Sequence, residues 1–370
     1  MPADLGGVGR YVLSLARAVA ARGRVDLVVV AQPAVVDELR TGLPGAEVVA
    51  APAATNRTAL RLAWEQLGLP LLARRLRVDV VHSPHYTLPL LSRRARVVTL
   101  HDATFFSAPE WHLPVKARFF RTWTRTAVRL ADGLVTPSRA TADAVAASVR
   151  HPLPPVDVAP LGVDPAVFHP PTDEDRAVLA RAVPDLPRSW IAFLGTLEPR
   201  KNVPALVEAA RRLAATRRAA GEPAPALLLA GSRGWDDAVE EAVAVASADL
   251  DVRRLGYLPL DALAAFLGDA DVVAYPSLGE GFGLPVLEAM SCGAVVVTTR
   301  RLSLPEVGGD AVLYADVDAS SLAGTLDEAS RPSSAPLRDR ARARAGSFSW
   351  DRCAGVHEEA WARARGRRTP

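Results

Sequence analysis

The stretch EGFGLPVLE, from Glu280 to Glu288, places two carboxylates around two glycines and a proline. The residues before it, Ala270 to Ser277, are typical of a buried strand that runs into a loop. Those after it, up to Cys292, are typical of a short helix that Gly293 stops. The sequence therefore predicts a glycine-rich loop between the carboxyl end of a strand and the start of a helix. In open α/β sheets, ligands bind at this position.

The start of this helix has the features of a phosphate site. Pro285 fits the first helical turn, because the N–H group that it lacks has no partner there in any helix. The backbone N–H groups around Gly283, Leu284 and Val286 point to the space in front of the helix, where the helix dipole also favours negative charge. The loop that contains Phe282 is therefore predicted to bind phosphate groups.

The spacing of the two glutamates restricts what they can do together. Eight residues of ideal helix rise about 12 Å, whereas two carboxylates that act on one glycosidic bond lie roughly 5 to 9.5 Å apart. Glu280 and Glu288 are better placed to hold the two ends of one extended ligand, with phosphates between them. A sugar–diphosphate–ribose is such a ligand. The alternative is one loop glutamate and one unrelated glutamate on a helix surface.

A second candidate site is the segment Arg200-Lys201-Asn202. The chain has 44 lysines and arginines, and only Lys116 and Lys201 are lysines. Where arginine is the default cation, a retained lysine indicates that a compact point charge is needed, and Arg200 can bind phosphate oxygens through two parallel hydrogen bonds. The segment follows a predicted strand and precedes an amphipathic helix, so a plain charged loop at a helix start is the alternative.

The whole chain alternates short apolar runs with helical patterns, which predicts parallel strands joined by helices. A chain of 370 residues exceeds one ordinary core, so we expect two doubly wound domains. The segment Phe168–Asp185, with Pro170 and Pro171, is predicted to link them. The predicted strands are Val25–Ala31, Val48–Ala51, Val78–His82, Val97–Leu100, Gly133–Thr136, Val156–Ala159, Ile191–Leu194, Ala226–Ala230, Val252–Leu255, Val272–Tyr275, Ala294–Thr298 and Val312–Tyr314.

Composition argues against several classes of protein. No apolar run reaches the ~18 residues of a membrane span, and the first residues do not have the pattern of a signal peptide. Cys292 and Cys353 form neither a metal-ligand spacing nor a disulfide framework, which favours the reducing cytoplasm. The formal net charge is only +3, and no nucleic-acid motif is present.

Two further groups of residues lie where strands are predicted to end. His101-Asp102 follows one strand, and His82 and His85 follow another; histidines at strand ends also serve simply as hydrogen-bonding residues. The segment Lys116–Arg129 is predicted to be a helix with one basic face, which suits anionic lipid. A solvated basic face is an equally valid interpretation.

The EGFGLPVLE stretch resembles the E-x7-E signature of the retaining glycosyltransferases of family 4, which have the GT-B architecture. The segments LGYLP (255–259), LPEV (304–307), GTLEPRKN (195–202) and HD (101–102) match that family in the expected order. The pattern is most similar to its mannosyltransferase-like branch, and the matches run from Gly6 to Phe348-Ser349-Trp350.

This resemblance implies two Rossmann-like domains that face a cleft. Residues 1–168 are expected to bind the acceptor and residues 169–345 the nucleotide sugar, and residues 346–370 are expected to form a helix that returns to the first domain. Family members begin with a strand before the glycine-rich loop at Gly6. Here the five preceding residues are too few and too polar, so we expect that the first strand is missing, through a start assigned too far downstream or with a compensating feature.

The resemblance also implies roles for single residues. Lys201 and Arg200 neutralise the departing diphosphate, Glu280 orients the sugar, His101 lies near it, and Glu288 accepts from the ribose. No metal and no cofactor are expected; the co-substrate is GDP-mannose or a UDP-sugar. The other residues expected to bind substrate are Gly7, Gly195, Thr196, Tyr257, Leu258, Phe282, Gly283 and Leu284.

The function that follows is transfer of a hexose, with mannose preferred, to an acceptor hydroxyl with retention, in the synthesis of a glycan, glycolipid or cell-envelope polysaccharide. The enzyme is expected in the cytoplasm, with a peripheral membrane contact through the basic helix. Two alternatives remain: a sugar-nucleotide 2-epimerase of the same fold, and an inactive nucleotide-sugar-binding protein. The base, the sugar, the acceptor and the oligomeric state are left open by the sequence.

Overall fold

The computed structural model describes residues 7–368, and the predictions about the first strand and Gly6 lie outside them. The chain forms two compact units, residues 7–162 with 348–368 (unit 1) and Val163–Ser347 (unit 2). Helices and strands are numbered in chain order through both units. Among the described residues, no helix combines the length and the apolar character that crossing a membrane requires.

Unit 1 contains two parallel sheets with helices on them. Its sheets have the strand orders β1-β2 and β3-β4-β5-β6, and within the described residues no ladder joins the two. Its elements are α1 (Gly7–Arg22), β1 (Val28–Ala31), α2 (Val36–Gly42), β2 (Glu47–Ala50), α3 (Thr58–Arg75), β3 (Val80–Ser83), β4 (Ala95–Thr99), α4 (Thr104–Ser107), α5 (Pro114–Leu130), β5 (Gly133–Thr136), α6 (Arg139–Ser148), β6 (Val156–Val158) and α15 (Trp350–Gly366).

Unit 2 contains one six-stranded parallel sheet with the order β12-β11-β10-β7-β8-β9. Its elements are α7 (Asp173–Ala182), β7 (Trp190–Leu194), α8 (Val203–Ala219), β8 (Ala226–Ala230), α9 (Ala238–Ala246), β9 (Val252–Gly256), α10 (Leu263–Gly268), β10 (Val272–Tyr275), α11 (Leu284–Ser291), β11 (Val296–Thr299), α12 (Leu304–Gly308), β12 (Leu313–Ala315), α13 (Ala319–Ala329) and α14 (Pro336–Ala345).

The predicted parallel α/β character is confirmed in both units, because every ladder in the described residues is parallel. The predicted linker is wrong in one respect: Phe168–Asp185 contains helix α7, which contacts α10 within unit 2. The Thr172 side chain accepts from the backbone N–H of Asp175, and the Asp175 side chain accepts from that of Thr172. This reciprocal cap satisfies two N–H groups that a helix start otherwise leaves unpaired.

Helix α15 contacts α1 and the strands β3 to β6, and a chain of buried polar groups joins it to them. His357 Nδ1 donates to the carbonyl of Cys353 at 2.8 Å, so Nε2 is the acceptor and takes the Tyr11 hydroxyl at 2.9 Å. The Tyr11 oxygen in turn accepts from the Thr99 hydroxyl at 2.9 Å. Thr99 Oγ1 accepts from His82 Nε2 at 2.8 Å. One tautomer of His357 thereby fixes the direction of every hydrogen bond in the chain.

This arrangement predicts that unit 1 loses stability in mild acid. Burial lowers the pKa of His357 from 6.5 to about 4, so between these values the unfolded chain binds a proton that the folded chain excludes. The free energy of unfolding should therefore fall by roughly 3 kcal/mol as the pH drops from 6.5 to 4 and change little from this group above 6.5. Hydrogen exchange of the α15 amides measures it. The pH dependence of unfolding should shrink in His357→Gln. The control His151→Gln, at an exposed position, should retain the wild-type dependence. Equal dependence in both variants contradicts the assignment of this effect to His357.

Candidate functional site

The sheet of unit 2 reverses its strand order between β7 and β10. The chain moves outward from β7 through β8 to β9, then returns to the other side of β7 with β10 and continues to β12. At such a reversal the connections leave the carboxyl ends of two neighbouring strands in opposite directions and open a crevice. The segments that follow these two strands contain Arg200-Lys201 and the glycine-rich loop from Glu280.

Glu280 is the centre of a buried cluster at this place. Its Oε1 accepts from Lys201 Nζ at 2.7 Å, from Ser277 Oγ at 2.7 Å and from the Tyr275 hydroxyl at 2.9 Å. Its Oε2 accepts from Arg200 Nη1. Lys201 and Glu280 are only 6% and 7% exposed, so the structure joins the two segments that the sequence identified separately.

The charges of this cluster balance within the protein. Burial alone raises the pKa of Glu280, but the positive charges of Arg200 and Lys201 outweigh it and hold that pKa at about 2. Burial lowers the pKa of Lys201, the charge of Arg200 adds to this, and Glu280 opposes it. Arg200 Nε also donates to Glu198 Oε2 at 2.8 Å. Two cations, Arg200 and Lys201, therefore lie beside two carboxylates, Glu198 and Glu280.

Three residues that sequence reasoning missed hold this cluster in place. Tyr275 is fully buried, receives Lys201 Nζ on its hydroxyl and stacks near Phe193 at 6.2 Å between ring centroids. Ser277 Oγ also lies 3.0 Å from the carbonyl of Arg200. Ser303 Oγ lies 2.8 Å from the carbonyls of both Glu280 and Phe282, and so fastens the glycine-rich loop. For Tyr275, the sequence signal that could have indicated this role is a polar residue at the end of an apolar strand.

The glycine-rich loop enters helix α11 in a conformation that needs glycine. Gly283 has φ +102° and precedes the helix, and a Cβ atom there would lie 2.8 Å from Leu304 Cδ2. Leu284 begins the helix, with Pro285 in its first turn as predicted. Phe282 is buried, and Glu288 is buried in the second turn of α11.

The other predicted substrate-binding residues of unit 2 lie after β7 and β9. The carbonyl of Gly195 approaches Gly231 so closely that a Cβ atom on Gly231 would lie 2.1 Å from it. Thr196 Oγ1 is 2.9 Å from Ser232 Oγ. After β9, Tyr257 is 67% exposed and Leu258 is buried. Within the described residues none of the four contacts Glu280, whose side-chain partners are Arg200, Lys201, Tyr275 and Ser277. The roles of the four toward a ligand stay predictions.

Two predicted site residues belong to unit 1. His101 Nε2 donates to the carbonyl of Pro84 at 2.7 Å, and the ring of Tyr11 meets its ring edge-on at 4.7 Å. Burial lowers the pKa of His101, which favours the neutral form of the ring, and the hydrogen bond to Pro84 and the charge of Asp102 oppose this. Gly7 begins α1, and a Cβ atom there would meet nothing within 4 Å.

The predicted basic helix is α5, Pro114–Leu130. Arg121 departs from the predicted solvated face, because its Nε donates to the carbonyl of Phe105 at 2.6 Å and the side chain is partly buried. At the start of the helix Leu113 and Val115 are exposed by 49% and 81%. The exposed cations of this face are Lys116, Arg118, Arg125 and Arg129.

Comparison with known proteins gives the family. Residues 5–167 match the model described as Glycosyltransferase Family 4, and residues 188–330 match the model described as Glycosyl transferases group 1. The chain is 32% identical to the O-antigen chain mannosyltransferase B of Escherichia coli, over 74% of this chain and 71% of that protein. The chain belongs to glycosyltransferase family 4. This family 4 glycosyltransferase is also 30% identical to the D-inositol 3-phosphate glycosyltransferase of Xylanimonas cellulosilytica, over 99% of this chain and 93% of that protein.

Solved structures confirm the predicted GT-B fold of this glycosyltransferase. The Anabaena protein HepE, solved with UDP and glucose, matches it with a TM-score of 0.73 at 20% identity, over 98% of this chain and 97% of that one. The family models and the Escherichia coli relative, and not the fold alone, show that the chain is an enzyme of the transferase class. Within the described residues no group of three or more histidine, cysteine, aspartate or glutamate side chains is arranged to hold a metal ion.

Proposed function

We propose that this glycosyltransferase moves mannose from a nucleoside-diphosphate sugar to an acceptor hydroxyl with retention of anomeric configuration. The observation that carries the proposal is the cluster of Lys201, Arg200 and Glu280 at the strand reversal of unit 2, beside the start of α11. The name of the Escherichia coli relative supports mannose, and the UDP of the Anabaena structure supports a nucleotide donor. The process served is the synthesis of a glycan, glycolipid or cell-envelope polysaccharide.

The donor's diphosphate binds at the two cations and the amino end of α11. As the bond between the anomeric carbon and the diphosphate breaks, negative charge grows on the leaving oxygens, and fixed positive groups in a buried site stabilise that charge. Glu280 orients the sugar, and Glu288 accepts from the ribose hydroxyls. The acceptor oxygen bonds to the same face of the anomeric carbon, and its proton passes to the leaving phosphate.

The test is product analysis with GDP-mannose, UDP-glucose and other nucleoside-diphosphate sugars, after a thermal-shift screen for the donor. A ligand at 100 times its Kd adds about 2.7 kcal/mol to the free energy of unfolding, which gives a readable shift. Transfer requires that product forms only when acceptor is added. Conversion of the donor alone into a second nucleotide sugar identifies an epimerase, and binding without either reaction identifies an inactive binding protein.

We further propose that turnover needs no divalent metal. Arg200, Lys201 and the dipole of α11 already supply positive charge where the diphosphate leaves. The transfer rate should therefore persist in EDTA, measured against a chelator-free sample after extensive dialysis. Loss of activity in EDTA that Mg²⁺ or Mn²⁺ restores contradicts this proposal and leaves the donor assignment to be judged by binding.

The enzyme's location is proposed to be the cytoplasmic face of a membrane, held through α5. Exposed Val115 and Phe119 lie among exposed cations on this helix, a combination that suits anionic lipid. Vesicles with phosphatidylglycerol should sediment the protein, and phosphatidylcholine vesicles should not. Arg118→Glu with Arg125→Glu should abolish sedimentation; a variant that sediments like the wild type refutes the contact.

A further inference from the structure

Unit 1 contains a second polar cluster, at the carboxyl end of β3. The imidazole of His85 packs among the rings of Tyr86, His101 and Phe120, with centroid distances of 4.9, 5.7 and 5.4 Å. Beside it, helix α3 presents Glu65, whose Oε2 accepts from Thr87 Oγ1 at 2.9 Å. In parallel α/β sheets, ligands bind at the carboxyl ends of the strands, which is where this cluster lies.

The loop that presents His85 is held in an unusual conformation. Tyr86 has φ +60°, a region that a bulky side chain rarely adopts and that persists only where the surroundings enforce it. Its hydroxyl accepts from the backbone N–H of Asp102 at 2.9 Å and donates to the Asp102 carbonyl at 3.1 Å. Gln66 fastens the loop to α3, since its amide donates to the carbonyl of Leu88 at 3.1 Å and accepts from the N–H of Leu90 at 2.9 Å.

His85 and Glu65 have polar atoms without hydrogen-bond partners within the described residues. Within residues 7–368 neither ring nitrogen of His85 has a hydrogen bond, and Glu65 Oε1 receives none. Burial, followed by the proximity of His101 and Arg61, lowers the pKa of His85 to about 3. The ring is therefore neutral at physiological pH and offers one donor and one acceptor. Glu65 offers a further acceptor.

The charges indicate which ligand suits these groups. Burial raises the pKa of Glu65, and Arg61, one helical turn before it on α3, opposes that rise. Arg61 also contributes to the lowered pKa of His85. The carboxylate and the guanidinium offset each other, so a phosphate placed here gains one cation and meets one anion. A neutral ligand with several hydroxyls meets no such repulsion, and the aromatic rings beside His85 supply apolar surface for its carbon face.

We propose that His85 and Glu65 bind the acceptor, and that the acceptor presents a neutral sugar and not a sugar or polyol phosphate. This inference rests on the proposed transferase function, for which it selects between the acceptor types that the names of the two relatives describe. His85 exchanges one donor and one acceptor bond with neighbouring hydroxyls, and Glu65 Oε1 accepts from a third. The aromatic neighbours hold the imidazole at the angle that permits this.

The test measures binding by ligand-observed NMR, with the methyl α-glycosides of mannose, glucose and galactose as neutral probes and D-inositol 3-phosphate as the charged probe. The wild type should bind at least one methyl glycoside more tightly than the inositol phosphate. The milder Glu65→Gln should weaken that binding about tenfold, as expected for one lost hydrogen bond, and His85→Ala, which removes two, should weaken it by at least as much. Arg74→Ala, at the exposed end of the same helix, is the matched control and should bind like the wild type.

Calorimetry with GDP and UDP separates this inference from the one on which it rests. Both variants should keep the wild-type nucleoside-diphosphate affinity, which shows that unit 2 is folded, and the wild-type melting temperature, which shows the same for unit 1. Failure of every wild-type glycoside probe, tighter binding of inositol phosphate, or unchanged glycoside binding in both variants overturns the acceptor assignment while the donor function stands. Failure of the wild type to bind any nucleoside diphosphate overturns the proposed function instead.

Discussion

Lys201→Ala is expected to lower kcat/KM for sugar transfer by on the order of 10²-fold or more, the scale of losing one preorganised group that stabilises developing charge. The ammonium lies in a closed position, between the Tyr275 hydroxyl and Glu280 Oε1, with its nitrogen 4.7 Å from the centroid of the tyrosine ring. Arg200 bonds to the other oxygen of Glu280, so it does not occupy the point where the ammonium lies. The initial rate of transfer at subsaturating donor measures the effect.

Two companion variants sharpen this prediction. Lys201→Arg should restore activity only in part, because the planar fork of arginine is longer and bonds in other directions. Arg212→Ala removes an exposed cation of α8 that pairs with Glu208 and should keep wild-type kinetics. Because an unpartnered buried charge also costs stability, melting of each variant is recorded beside its rate. Normal turnover in a folded Lys201→Ala protein contradicts the assigned role.

Glu280→Gln and Glu288→Gln should fail in different ways. Glu280 accepts from four side chains, and an amide in its place turns an N–H group toward one of the cations. The side chain at position 280 then no longer holds the donor sugar in its reactive position, and a displacement of about 1 Å can lower turnover by 10²-fold. Glu288→Gln, at a buried position of α11, should instead weaken nucleoside-diphosphate binding by about tenfold. The reason is that a hydrogen bond to a charged group contributes about 1.5–3 kcal/mol.

Calorimetry with GDP or UDP, combined with kcat, distinguishes these two roles. Glu208→Gln changes a half-buried carboxylate of α8 that pairs with Arg211 and Arg212, and it provides the control for the chemical change itself. Diphosphate affinity that falls equally in Glu280→Gln and Glu288→Gln, or a kcat that falls only in the latter, shows that the assigned division of labour is wrong.

Much of the sheet architecture could be predicted from sequence because buried parallel strands are short, nearly continuous apolar runs of valine, isoleucine, leucine and alanine. Gly133–Thr136, Ala226–Ala230 and Val272–Tyr275 have the predicted bounds. Strand ends elsewhere shift by one to a few residues, as at β1, where the predicted Val25–Ala31 begins at Val28. There the apolar pattern starts before the ladder to β2 does.

The parts that were not predicted depend on contacts that are distant in the sequence. Helix α7 was missed although Thr172 and Asp175 have the spacing of a reciprocal cap, because two prolines before them indicated a linker. The junction of Lys201 with Glu280 spans 79 residues, and that of Tyr11 with His357 spans 346. No local pattern reveals which tyrosine, serine or histidine a distant segment will meet, since tertiary packing alone decides it.

The return of α15 to unit 1 has a consequence for how the chain is made. Ribosomes release residues in order, and domains fold as units at synthesis rates of about 5–20 residues per second. Unit 2 is one continuous segment, Val163–Ser347, and can fold as soon as it emerges. Unit 1 is completed only when Trp350–Gly366, helix α15, has been synthesised. The β3–β6 sheet and Tyr11 therefore lack the helix that packs on them while some 185 residues of unit 2 are translated. The nascent chain therefore exposes the apolar surface of its first unit for longer than that of its second.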